Sequence, residues 1–146
     1  SKALRLAGLR LGYLLASEEI VAEVGKVKLP YNVNAFTQDV GEYVFQNRHR
    51  LFGLVNGIKA ERERLCLALQ QIKGVEPYPS ETNFVLFRTE KEGNRVWQGL
   101  LEQGVLIRNF SDRPGLTDCL RVTIGLPEEN EAFLEALKEI VKQLTG

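Results

Sequence analysis

Asn83-Phe84-Val85-Leu86-Phe87 is too short for a helix and rich enough in aromatic and β-branched side chains for a buried strand. Pro77 and Pro79 punctuate the approach to it. Downstream, residues 94–103 place Val96, Trp97, Leu100 and Leu101 on one side of a short helix that Gly104 ends. Residues 105–107 and 120–124 read as two more strands, joined by a polar loop that holds Asp112, Arg113, Pro114 and Gly115. Pro127 opens a last helix, with Glu128 and Glu129 in its first turn and a stripe of Phe133, Leu137, Ile140, Val141 and Leu144. Upstream, Leu51, Val55, Ile58, Leu65, Leu69 and Ile72 recur at helical spacing, and Gly74 closes that helix. The order helix, strand, helix, two strands, helix predicts an α/β sandwich with its helices on one face of a small sheet.

The first fifty residues read differently. Residues 11–16 suggest a short buried strand. Ser17 then offers an N-cap oxygen, and Ile20, Val24 and Val27 stripe a helix until Pro30 forbids continuation. A loop at 29–34 leads to a second helical region from about Thr37. One strand and two helices cannot bury a core alone, so residues 1–50 read as an incomplete unit and 51–146 as a small α/β domain.

Composition narrows the chemistry. In 146 residues, nineteen Lys plus Arg balance nineteen Asp plus Glu, so anion recognition has to be local, built from a few placed arginines. That argues against nucleic acid and against an anionic membrane surface. No run of about 18 apolar residues suggests a membrane span, and the cytoplasm is the expected compartment. Cys66 and Cys119 form no CxxC, and His49 is the single histidine, so a metal centre lacks its ligands. No glycine-rich dinucleotide or P-loop motif, GxSxG or HExxH occurs either.

One stretch carries reactive groups: Ser1-Lys2-Ala3-Leu4-Arg5-Leu6-Ala7-Gly8-Leu9-Arg10-Leu11-Gly12-Tyr13. It resembles the Schiff-base segment of fold-type I pyridoxal-phosphate aminotransferases, where Ser-Lys is followed by Arg-x-Gly-aromatic. Leu29-Pro30-Tyr31-Asn32-Val33-Asn34, Thr82-Asn83-Phe84-Val85-Leu86-Phe87, Gly104-Val105-Leu106-Ile107-Arg108 and Leu120-Arg121-Val122-Thr123-Ile124-Gly125 follow in the order found in the histidinol-phosphate branch of that family. The resemblance covers essentially the whole chain as the C-terminal part of such an enzyme: the tail of the large domain plus the small domain.

What the resemblance implies is specific. Lys2 would be the catalytic lysine that binds pyridoxal 5'-phosphate and moves a proton at the substrate carbon. Ser1 and Arg10 would join Lys2 in binding the cofactor, as charge-assisted donors to its phosphate. Small Ala7 and Gly8 would admit the cofactor closely. Arg121 and Arg108 would grip the anionic ends of a small-molecule amino donor, glutamate, and of a phosphorylated substrate, histidinol phosphate. Tyr31 and Asn32 either line the substrate pocket or shape their loop, and Asn83 reads as a strand-end cap. A homodimer is implied, since sites of this fold type form between subunits. The family's aspartate at the pyridine nitrogen, its stacking ring and its phosphate-binding glycine turn all precede the position of Ser1, so a polypeptide that began there would show little transaminase activity. Two alternatives remain open: a related cofactor enzyme such as a threonine-phosphate decarboxylase or another aminotransferase, and a non-catalytic interaction module, which has no use for an aldehyde-trapping lysine.

Overall fold

A strand buried on one side must alternate its side chains, and Phe84–Thr89 does. Val85 and Phe87 are fully buried, whereas Phe84 and Leu86 face the other way and are only half-buried. The computed structural model describes residues 6–90 and 92–145. They divide into two units, 1–54 and 55–146, with the division inside the long helix Arg48–Gln70.

The second unit is built on a four-stranded antiparallel sheet. Its strands are β1 (Val75–Pro77), β2 (Phe84–Thr89), β3 (Arg108–Asn109) and β4 (Cys119–Thr123), in the spatial order β1-β2-β4-β3. In the first unit lie α1 (Glu18–Val27) and α2 (Ala35–Gln46); α3 (Arg48–Gln70) runs into the second, which holds α4 (Gly93–Glu102) and α5 (Pro127–Thr145). Leu65, Leu69, Val96, Leu100, Leu134 and Leu137 from α3, α4 and α5 form one core with Val85, Phe87, Leu120 and Val122 of the sheet. The apolar faces of α3, α4 and α5 thus meet the same side of the sheet, and no helix among the described residues of this unit covers the other, where Phe84, Leu86 and Arg121 are only half-buried. Phe87 and Phe133 meet across this core as a tilted aromatic pair with centroids 5.9 Å apart.

A polar network ties the helices to the sheet. Asn130, 2% exposed, donates through Nδ2 to Glu61 (2.9 Å) and to the Gly125 carbonyl (3.3 Å), and its Oδ1 accepts from the Gly125 N–H (2.9 Å). Arg64 bridges Glu61 and Glu131 at 3.1 and 2.9 Å. Buried Arg62 donates to the Thr82 carbonyl and to Glu81, which pins the turn ahead of β2.

Several expectations need correction. Residues 11–16 form no strand and are mostly exposed, because no sheet partner is available to them among the described residues. The apolar stripe of α1 is exposed throughout, with no buried residue in the helix. The helix expected to end at Gly74 stops at Gln70, and Gly74, at φ +81°, instead turns the chain into β1. β1 was hidden in the proline-containing approach, where Pro77 sits on an edge strand. The strand expected at 105–107 lies at Arg108–Asn109, since the chain leaving α4 only reaches the ladder opposite Leu120 and Arg121.

The Glu61 network makes the stability of this unit pH-dependent. Hydrogen bonds from Arg64, then Asn130, hold the Glu61 carboxyl below its usual value of 4.5. A carboxyl depressed in the folded state stabilises fully above its unfolded value, and that contribution disappears as the pH falls through the folded one. Glu61→Gln should therefore flatten the acid limb of a urea-midpoint profile measured from pH 7 down to about pH 3, leaving a variant whose stability changes less over that range. An acid limb as steep as that of the parent chain would contradict this assignment.

Candidate functional site

In the first unit a single 3-10 turn, Ala7–Leu9, ends at Arg10 in the left-handed region, at φ 53°. The Arg10 N–H donates to the Ala7 carbonyl at 3.2 Å, and its Nη1 reaches the same oxygen at 3.4 Å. Thr37, 3% exposed on the first turn of α2, donates through Oγ1 to the Leu9 carbonyl at 3.3 Å. Asn34 caps α2 by accepting from the Thr37 N–H at 2.8 Å, and Gln38 Nε2 donates to the Val33 carbonyl at 2.8 Å. These bonds fix the Arg10 turn, the 32–34 loop and the start of α2 as the walls of one cleft of about 270 Å³.

Gly8, Arg10, Asn32 and Phe36 line it, and no carboxylate does. A guanidinium, a carboxamide and the positive end of a helix suit an anionic group. A Cβ added at Gly8 would meet nothing within 4 Å, so the wall there is open. Tyr31 does not join the cleft: it stands 99% exposed at φ 56°. Ser1 and Lys2 lie outside the described residues.

The second cluster occupies the open side of the sheet. Antiparallel register pairs Arg108 with Arg121 across β3 and β4, and Leu86 with Arg121 across β2 and β4. Directly paired residues share a face, so Arg108, Arg121, Leu86 and Phe84 stand opposite the core residues Val85, Phe87, Leu120 and Val122. Phe110 continues that face beyond β3, its N–H donating to the Cys119 carbonyl at 3.0 Å.

The arginines gather on aromatic rings. The Arg121 guanidinium carbon lies 4.6 Å from the Phe84 centroid and 5.4 Å from that of Phe110. Arg113 lies 4.9 Å and Arg108 6.0 Å from the same Phe110 ring. Arg121 Nε is buried without a hydrogen-bond partner, as is Asn83 Oδ1 at the entrance to β2. Among the described residues no carboxylate pairs with Arg108, Arg113 or Arg121.

The loop that carries Phe110 and Arg113 is held by α4. Asp118, itself left-handed at φ 58°, accepts from the Gly93 N–H through Oδ1 at 2.8 Å. The approach is so close that a Cβ on Gly93 would fall 2.5 Å from Ser111 Oγ and 2.8 Å from the Asp118 Cα. Sequence reasoning gave no role to Phe84, Phe110 or Arg113. The signal available for Phe110 was its spacing of two from Arg108, which puts both on one face of a strand.

Comparison with known proteins now gives this geometry a context. The aminotransferase class I and II family matches residues 1–137. The chain belongs to the class I and II aminotransferases. It is 44% identical to the histidinol-phosphate aminotransferase of Aquifex aeolicus over 97% of its length, and 45% identical to histidinol-phosphate aminotransferase 1 of Carboxydothermus hydrogenoformans over 97%. It spans 40% of the length of each. Among solved structures it superposes on the histidinol-phosphate aminotransferase of Clostridium acetobutylicum with a TM-score of 0.83 and 28% identity, covering 97% of this chain and 43% of that one. The L-threonine-O-3-phosphate decarboxylase of Porphyromonas gingivalis gives 0.82 and 27%, covering 96% and 44%. The α/β fold of the small unit is thus that of the C-terminal portion of these aminotransferases.

Thr37 is the hinge on which the first cleft can be tested. Thr37→Val keeps the buried volume but removes the donor to Leu9, which frees the Arg10 turn from α2. The variant should lose about 1 kcal/mol of stability by urea titration and bind inorganic phosphate more weakly by isothermal titration. Unchanged phosphate affinity in the variant would show that the turn needs no such anchor.

Proposed function

We propose that this chain supplies part of the cofactor site and the substrate-anion site of a pyridoxal-phosphate-dependent histidinol-phosphate aminotransferase. The observation that carries the reading is the pair Arg108 and Arg121, facing each other on the open side of the sheet with no carboxylate partner among the described residues. Two uncompensated guanidinium groups at one place are built for an anion. The identity of 40–46% to histidinol-phosphate aminotransferases supports which anions these are: the phosphate of an amino-alcohol ester and the carboxylate of glutamate or 2-oxoglutarate.

The residues of the first cleft fit the cofactor. Arg10 and Asn32 offer donors to a phosphate, Gly8 leaves open space beside them, and the lining holds no competing negative charge. Ser1 would add a hydroxyl to that phosphate, as the resemblance implies. Pyridoxal phosphate, when bound, supplies the electron sink that makes the substrate carbon acidic. Lys2 would hold the cofactor through its amine and would move a proton at the substrate carbon, as the resemblance implies. Arg121 and Arg108 would orient the substrate by its anionic end.

Thr123-Ile124-Gly125 belongs with Leu120-Arg121-Val122 to the motif that carries this reading; Asn32 is kept at the first cleft, and Tyr31, exposed outside that cleft, is kept as a substrate residue only on the resemblance. A homodimer in the cytoplasm is the assembly and place we infer. No helix among the described residues is long and apolar enough to cross a membrane. The likeness to an L-threonine-O-3-phosphate decarboxylase keeps a second reading in view, because that name too implies a phosphorylated substrate.

Borohydride reduction of the intact protein with pyridoxal phosphate, followed by peptide mapping, tests the assignment. The phosphopyridoxyl label is expected on Lys2 ahead of every other lysine. An even spread over surface lysines would sink the cofactor assignment and favour the interaction-module reading.

A further inference from the structure

We propose that Phe110 is a positioning residue for the substrate anion: it orients the Arg121 guanidinium with Phe84 and gathers Arg108 and Arg113 around the same site. This deepens the functional reading above and rests on Arg121 as the anion reader.

The argument begins with what usually fixes an arginine. A guanidinium is normally oriented by carboxylates and carbonyls in its own plane, and every such bond consumes an N–H that a ligand could use. Arg121 has none of these partners, and its Nε is buried and unpaired. Two aromatic rings stand within cation–π range of it instead, at 4.6 and 5.4 Å. A ring face attracts the cation without occupying its in-plane donors, so Arg121 is held in place with its fork still available.

Phe110 also sets the local charge. Three guanidinium carbons lie within 6.0 Å of its centroid, in a molecule whose formal charges cancel. Like charges gathered this closely repel one another, and an arriving anion relieves that repulsion. Arg113 lies in the loop that Asp118 ties to the start of α4, and with Phe110, Trp97 and the acidic Asp112 it lines a neighbouring cavity of about 520 Å³ that Arg108 and Arg121 do not line. The loop anchored by Asp118 thus presents the ring, and the ring holds the charges together.

The probe is inorganic phosphate added to the intact protein, followed through the Arg Nε–H resonances. In the parent protein the Arg121 Nε–H should resonate away from the free-arginine position, shifted by the two rings, and should move on phosphate addition. Phe110→Tyr should preserve both effects. Phe110→Leu should lose its share of the ring shift and weaken phosphate binding between about 2- and 30-fold, and with the phosphorylated substrate it should raise KM more than it lowers kcat. Phe110→Met, closer in volume, replaces Phe110→Leu if the latter fails to fold. An Arg121 resonance at the free position in the parent, or phosphate affinity unchanged in Phe110→Leu while Arg121→Lys weakens it, would overturn this proposal and leave the aminotransferase reading intact. Phosphate affinity unchanged in Arg121→Lys would instead overturn Arg121 as the anion reader, and the role of Phe110 with it.

Discussion

The two-residue period of an antiparallel ladder governs this molecule. β2 and β4 run side by side with Val85 opposite Val122 and Phe87 opposite Leu120, and all four side chains enter the helix-covered core. The residues between them have no choice but to face away. Burying Leu120 and Val122 therefore displays Arg121, and shifting the register by one residue would bury the arginine and expose the core in the same move. The arginine-bearing face is a geometric consequence of the hydrophobic one. The same core that stabilises the domain also aims its functional side chain, so selection for packing and for the site act on one pattern.

In the first unit the side chains described bury little against one another. α1 buries none of its residues, and α2 buries only Thr37. The order around Arg10 comes from directional bonds: a capped helix start, a hydroxyl on a carbonyl and a left-handed turn. Such bonds are each worth little net, but they fix direction well. A cleft that must present a guanidinium and backbone donors to an anion needs direction more than it needs buried area.

How much of this was legible in the sequence follows from the same contrast. The helices and strands of residues 55–146 were readable because their apolar residues repeat at 3.6 or 2 and end in the core they imply; Val85, Phe87, Leu100 and Leu137 are all fully buried. Residues 11–16 misled because an apolar run looks the same whether or not a sheet waits to receive it, and here none is present among the described residues. β1 escaped notice since prolines advertise loops more loudly than edge strands. At the site, Arg108 and Arg121 could be named from their motifs, and Arg10 and Asn32 now share a cleft. Phe84 and Phe110 could not be assigned, because each reads locally as one more strand apolar residue. Their role exists only once register brings Arg121 between β2 and the end of β3. Asn130 was missed for a related reason: its value lies in joining Glu61 to Gly125, a relation of tertiary structure alone.

A balanced composition sharpens the argument about recognition. With nineteen charges of each sign, the chain has no net field to draw an anion from a distance, so discrimination must operate at contact. Elsewhere in the second unit two arginines pair with carboxylates, Arg62 with Glu81 and Arg64 with Glu61 and Glu131. Around Phe110 the chain does the opposite and leaves three unspent. An aromatic ring is the one common side chain that can hold a guanidinium without either neutralising it or taking its donors. Placing rings where acids would otherwise stand keeps the site both ordered and hungry for negative charge, which is the combination a binding site for small anions requires.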